Sequence, residues 1–289
     1  MKTVIKFLFV GALVLALAYL RLFNTSADLT EQEQQSALAG VTTNADWFPI
    51  SGRITGVEMQ LVPAGCFTMG STAEQLLIAQ DSCDRYYGIF GCKEDFSIEQ
   101  PAHEVCLSEP FWIDQQAVSN SQYLLQTRSF SPSQYAEFNL PVQGVSWQAA
   151  ADYCAVRGGR LPTEAEWEFA ARGPDALIFP YGNSYEINLS TLRKISPPQG
   201  AQIPAAASWV GALDMSGGQG EWVGDYYGPY AASSQIDPQG PTAGEQRIAR
   251  GGNWFAHASY FVRSSSREAL APDFATSVTG MRCVVDFEH

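Results

Sequence analysis

The chain has 289 residues, carries 17 Lys+Arg against 30 Asp+Glu for a net charge of −13, and holds only three histidines, His103, His257 and His289. That balance excludes a cationic nucleic-acid surface, because phosphate binding is driven by Lys and Arg, and three histidines are too few for most multi-histidine metal sites. At 46% hydrophobic and 16% charged, with 25 Gly and 16 Pro, the composition excludes disorder and coiled coil and describes a globular, turn-rich chain.

In chain order, the first element is a targeting signal. Lys2 and Lys6 precede an unbroken apolar run of 14 residues, Phe7 to Leu20, closed by Arg21. Such a run is shorter than the roughly 18–20 residues of a spanning helix and fits a signal core of about 7–15. Ala16-Leu17-Ala18 lies inside the run and Ala37-Leu38-Ala39 far beyond it, so a cleaved signal and an uncleaved anchor over residues 4–23 both stand. Either way the leading lysines keep the amino end inside and place the rest on the periplasmic or extracellular face. The only membrane contact expected is through this segment. No cysteine precedes Cys66, which excludes lipoprotein acylation near the signal. The expected organisation is a signal peptide or anchor over 1–23, a polar tether over 24–45 and one large domain over 46–289.

Six cysteines, Cys66, Cys83, Cys92, Cys106, Cys154 and Cys283, in an oxidising compartment point to disulfides, although spacing alone leaves about 15 pairings. None forms a CxxC motif, which argues against zinc and thioredoxin-like chemistry.

Local signals predict short strands over Met59–Val62 and Cys66–Gly70 around a Pro63-Ala64-Gly65 turn, with another over Glu104–Trp112. Ala73–Asp81 reads as a short helix, and Cys83 and Cys92 enclose an aromatic loop that a local bridge can close. Ser146 caps a helix running to Arg157, and Thr163 with Glu166 is a capping box for a second helix ending at Arg172 before Gly173. From Phe179 to Gly244 the pattern is irregular loop; Arg247–Trp254 and Gly280–Val285 read as closing strands. The fold class is α+β with little regular secondary structure.

Residues now carry a resemblance. Leu61-Val62-Pro63-Ala64-Gly65-Cys66-Phe67-Thr68-Met69-Gly70, Gly159-Arg160-Leu161-Pro162-Thr163-Glu164-Ala165-Glu166-Trp167-Glu168-Phe169, Arg250-Gly251-Gly252-Asn253-Trp254 and Gly280-Met281-Arg282-Cys283, in that order, resemble the sulfatase-modifying factor family, that of the formylglycine-generating enzyme. The resemblance spans residue 57 to the end and implies a variant of the C-type-lectin-like fold. It also implies a Cys154–Cys283 disulfide, which with a local Cys83–Cys92 bridge leaves Cys66 for Cys106.

In the enzyme resembled, copper is held between two thiolates of a Cys-His-x-Ser-Tyr-Cys stretch, and soft sulfur ligands suit Cu(I). Here that stretch is Ala256-His257-Ala258-Ser259-Tyr260-Phe261. Ala256 and Phe261 replace both sulfurs, so copper and formylglycine-generating activity are not expected. The family also implies structural calcium held by oxygen ligands. Asn188 and Glu221 match two of them, although Gly217-Gly218 stands where Gly-Asn is usual; the alternative is that Glu221 and Trp222 pack the core. Iron-dependent relatives of this fold use three histidines that this chain lacks. His103 reads as structural, and Ser264-Ser265-Ser266 lacks a nucleophile elbow.

Two functions follow as expectations. One is an exported binding or accessory module for a protein, peptide or other ligand. The other is an extracytoplasmic enzyme of altered, cysteine-independent chemistry, in which His257, Ser259, Tyr260 and Arg263 line the old cleft. Convergence of those side chains favours the enzyme, and a cleft plugged by Phe261 favours binding.

Overall fold

The computed structural model describes residues 29–129, 137–190 and 203–288. The expected signal or anchor over 1–23 lies outside them, and among the described residues no helix is long and apolar enough to cross a membrane.

Among the described residues, five α-helices start where the sequence supplies an oxygen for their free N–H groups: α1 (Glu31–Ala39), α2 (Ala73–Tyr87), α3 (Asn120–Thr127), α4 (Trp147–Val156) and α5 (Glu164–Arg172). Thr30, Thr72, Ser119 and Thr163 each form a reciprocal capping box with the Glu or Gln three residues on, and Ser146 accepts the Ala149 N–H. α4 and α5 match the sequence expectation. α2 continues past Asp81 to Tyr87, because Gly88 at φ 56° is the first residue that ends it.

Among the described residues, eleven short strands form three sheets. One is antiparallel, with β1 (Ser51–Ile54), β2 (Val57–Val62), β5 (Phe111–Asp114) and β11 (Val284–Asp286) in that order. The second runs β10 (Thr279–Gly280), β6 (Gly220–Tyr226), β8 (Arg247–Arg250), β9 (Arg267–Leu270), and the third β3 (Gly65–Met69), β4 (His103–Leu107), β7 (Gln235–Ile236).

Four expectations need correction. The single strand over Glu104–Trp112 is two strands in different sheets. They are broken at Ser108, whose N–H and hydroxyl are both captured by Asp237, and at Pro110, which has no N–H for a ladder. The expected loop from Phe179 to Gly244 contains β6, which is buried on nearly every residue and so lacks the alternation that betrays a half-exposed strand. β8 stops at Arg250 instead of Trp254, since Gly251 and Gly252 follow at φ 91° and 64°. Gly280–Val285 divides into β10 and β11.

The segment read as a polar tether is also folded from Thr30 onward. Ala37 is fully buried, Ala64 N–H donates to Ala37 O, and Val41 bridges Gly65. Asn44 reaches the end of α5, donating to Arg172 O at 3.2 Å and accepting the Asp175 N–H at 3.1 Å.

The main core joins Met59, Leu61, Phe67, Phe111 and Trp112 to Trp167, Phe169 and Trp209, and a second gathers Val145, Tyr153, Leu161, Trp222 and Met281 around the Cys154–Cys283 bridge. Between them run buried ion pairs. Glu168 binds Arg172 and Arg250, and Glu164 binds Arg250 and Arg267. Among the described residues seven arginines and seven carboxylates are buried, so the excess negative charge resides in the remainder of the chain.

Candidate functional site

The stretch from Ala256 to Arg263 leaves β8 through Gly251 and Gly252. A Cβ on Gly252 would collide with the Phe261 carbonyl oxygen, so glycine is what lets the chain fold back on itself there. The single turn Ser259–Val262 then packs on α2. The Ser82 and Ser259 hydroxyls lie 2.7 Å apart, and Ala79, Cys83, Ala258 and Tyr260 form one apolar cluster. The Cys83–Cys92 bridge closes the end of α2 over this cluster. Just beyond it, Tyr87 and Tyr260 donate to the same Glu94 oxygen at 2.9 and 3.3 Å.

Two clefts flank the turn. One, about 410 Å³, has Phe96, Phe255, Ala256 and Phe261 in its wall; the other, about 540 Å³, has Ile78, Tyr86, Phe179 and Ser259; His257 and Tyr260 line both. Phe261 therefore walls a cleft that stays open and does not plug it.

The four side chains expected to line an active site all line the larger of these clefts, and Arg263 Nε donates to the Tyr260 carbonyl oxygen at 3.2 Å, while each also has partners of its own. His257 is exposed, its ring stacked on Tyr86 with centroids 6.1 Å apart and edge-on to Phe255 at 5.0 Å. Ser259 is held by Ser82. The Tyr260 hydroxyl is pushed far above the ordinary phenol range by burial, and further by Tyr87 and Glu94, so it acts as a hydrogen-bond donor and not as a base. Arg263 is 1% exposed and belongs to a buried network: it donates to Glu99 at 2.8 Å and to Ser71 and Ser265 at 3.2 Å. Arg263 thus lines the larger cleft as expected, with its guanidinium held in a buried ion pair.

Copper does not fit. Ala256 is buried against Ile178, Phe179 and Val262, Phe261 presents a ring, and all six cysteines are bridged as Cys66–Cys106, Cys83–Cys92 and Cys154–Cys283. Calcium does not fit at Glu221 either. Its oxygens accept from Arg282 Nε and Nη2 at 2.6 and 2.7 Å and from Trp167 Nε1 at 2.7 Å. A guanidinium at that distance repels a second cation, and the core-packing alternative is the one observed. Asn188, for which the resemblance implies a second calcium site separate from that of Glu221, sits exposed in the turn Ile187–Leu189.

Sequence reasoning missed the partners on α2 and after it: Ser82, Tyr86, Tyr87 and Glu94. The aromatic loop between Cys83 and Cys92 was the available signal. His103 is buried, its Nδ1 3.1 Å from Pro101 O and its ring 5.2 Å from Tyr230, in keeping with a structural role.

Comparison with known proteins bears on the family and the fold. Residues 48–287 match the family model described as the sulfatase-modifying factor enzyme 1-like domain. The chain is 27% identical to the formylglycine-generating enzyme of Bos taurus over 79% of its own length and 75% of that protein. It is 33% identical to the inactive C-alpha-formylglycine-generating enzyme 2 of Mus musculus, over 51% of its length and 49% of that protein. Among solved structures, Treponema denticola variable protein 1 superposes with a TM-score of 0.67 at 20% identity, covering 82% of this chain and 99% of that one, which speaks for the fold alone.

Proposed function

Since the chain belongs to the sulfatase-modifying factor family, we propose that it is an exported member without formylglycine-generating activity, serving as a binding or accessory module for a protein, peptide or small ligand. The observation that carries this reading is the pair Ala256 and Phe261, a methyl and a phenyl group where the resemblance calls for two copper-binding thiolates, in a chain whose cysteines are all bridged. Phe261 does not plug the cleft beside them, so the sign expected of a binding module is not met; what supports ligand capture is the make-up of the open cleft itself. Phe96, Phe255 and Phe261 supply apolar area, while Asn253 and Glu94 supply polar edges, the mixture that small-molecule and side-chain pockets use. The name of the mouse relative, an inactive enzyme of this family, is in line with a scaffold that outlives its chemistry. His257, Ser259, Tyr260 and Arg263 do line one cleft, as the enzyme reading expects; the engagement of the Ser259 hydroxyl by Ser82 and of the Arg263 guanidinium by Glu99 weighs against their forming a new catalytic centre.

The test is incubation of the purified chain with copper and a Cys-x-Pro-x-Arg peptide, followed by aldehyde detection and mass spectrometry. No formylglycine is expected; its appearance would overturn the proposal.

A further inference from the structure

The buried carboxylates of this protein follow a rule with one exception. Glu99, Asp114, Glu164, Glu166, Glu168 and Glu221 each pair with an arginine: Arg263, Arg157, Arg250 and Arg267, Arg160, Arg172 and Arg250, and Arg282 respectively. Asp225 is the seventh, 5% exposed, and no Lys or Arg pairs with it among the described residues. Its Oδ2 accepts the N–H of Glu164, the first residue of α5, at 2.7 Å, where the helix N-terminus favours an anion. Its Oδ1 lies against Gly240, where a Cβ would stand only 2.8 Å away.

Two cavities meet at this carboxylate. The larger, about 620 Å³, and a smaller one of about 270 Å³ share Asp225, Pro238 and Gln239 in their walls. They lie at the opposite end of β6 from Gly220, which borders the 410 Å³ cleft; five strand residues separate the two by about 16 Å. The larger cavity has an apolar body of Phe111, Trp147, Leu161 and Phe287. Exposed Glu109, Asp237 and Asp286 also line it, and the single cation there, Arg160, is already held by Glu166 and Asp286. Its wall residue Trp147 already takes part in cation recognition, since the Arg247 guanidinium is sandwiched between the Trp147 and Tyr226 rings at 3.5 and 3.4 Å.

We propose that the cavity at Asp225 binds an organic cation, a primary ammonium or guanidinium on an apolar stem, whose charge supplies the counter-ion that every other buried carboxylate receives from an arginine. The stem lies along Trp147 and Phe111, and the outer carboxylates steer the cation inward. The chemistry is shared by a free polyamine and by a Lys or Arg side chain of a peptide. Proton linkage accompanies binding. Burial, reinforced by Glu164 and Glu166 and opposed by the Glu164 N–H and Arg267, pushes the Asp225 carboxyl up to about 7, so affinity falls as pH drops below 7.

The test is calorimetric titration of the purified full chain at pH 8 with cadaverine, with a capped Gly-Lys-Gly peptide and with 1-pentanol as the uncharged control. At least one amine is expected to bind at least about tenfold more tightly than pentanol, as pairing with a buried charge requires. Cadaverine alone identifies a free polyamine, the peptide alone a basic segment of a partner. Asp225→Asn, which keeps an oxygen for the Glu164 N–H, is expected to lose that preference, whereas Glu74→Gln, the same charge change on the exposed start of α2, retains it. Ala155→Trp fills the larger cavity from the exposed face of α4 without touching the core and is expected to abolish amine binding even if the Asp225 variant misfolds. Amine binding no tighter than pentanol, or unaltered in both Asp225→Asn and Ala155→Trp, overturns the proposal.

Discussion

Tyr260 donates its hydroxyl to Glu94 across 3.3 Å, tying the turn Ser259–Val262 to the segment that follows the Cys83–Cys92 bridge. Because burial raises the Tyr260 pKa, its neutral form is favoured in the folded protein. The stability this contributes is complete below the phenol's unfolded value, near 10, and is lost as pH climbs above it. Tyr260→Phe removes the hydrogen bond, at a cost of about 1 kcal/mol at pH 8, and shrinks the alkaline loss. Urea melts at pH 8 and 10.5 check this: the gap between variant and parent should narrow at the higher pH. A constant or widening gap would refute the assignment.

Gly252 underlies the same turn. At φ 64°, with Phe261 O in the space of a Cβ, Gly252→Ala is expected to destabilise the protein by roughly 1–3 kcal/mol and to displace Phe261. Increased exposure of the cleft, read as faster amide exchange over residues 256–262, is the structural counterpart. An unaltered melt would show that the chain can reach this geometry without glycine.

Much of this was legible in the sequence for a physical reason. Capping boxes such as Thr163 with Glu166 act over three residues, so α5 and its start were readable locally. The cysteine pairs followed from the resemblance plus a short loop, and the loss of sulfur at Ala256 and Phe261 needed only alignment of a six-residue stretch. What stayed hidden depends on distant partners. β6 buries Glu221 and Asp225 along with Trp222 and Val223, so the polar-out alternation is missing, and α4 and α5, which pack on it, are distant in sequence. The ion pair of Arg263 stayed hidden because its partner, Glu99, lies 164 residues away in sequence. The helix Glu31–Ala39 is polar on most of its surface and buries little beyond Ala37, so composition alone gave it the character of a tether.

The Glu221–Arg282 pair distinguishes a structural carboxylate from a calcium ligand. Both side chains are almost wholly buried, so Glu221→Gln leaves the Arg282 guanidinium uncompensated and is expected to cost about 3–5 kcal/mol. Calcium and EDTA should leave the melting temperature of the parent unchanged insofar as Glu221 is concerned. A calcium-dependent rise in the parent that disappears in Glu221→Gln would contradict the pairing.

The three bridges should differ in what they contribute. Cys154–Cys283 spans 129 residues and Cys83–Cys92 only nine, and in the chain-entropy model loops of those lengths correspond to roughly 5 and 3 kcal/mol. The paired variants Cys154→Ala/Cys283→Ala and Cys83→Ala/Cys92→Ala should therefore rank in that order in urea melts. Their local consequences run the other way with respect to the cleft. The longer bridge sits in the Trp222 core, whereas Cys83 and Cys92 pack beside Tyr260 and Phe261, so the cheaper deletion is the one expected to loosen the cleft wall. Amide exchange at residues 259–262 separates the two effects, rising in Cys83→Ala/Cys92→Ala even where global stability is less affected. Equal protection of that turn in both variants would mean that α2, and not the staple, holds it.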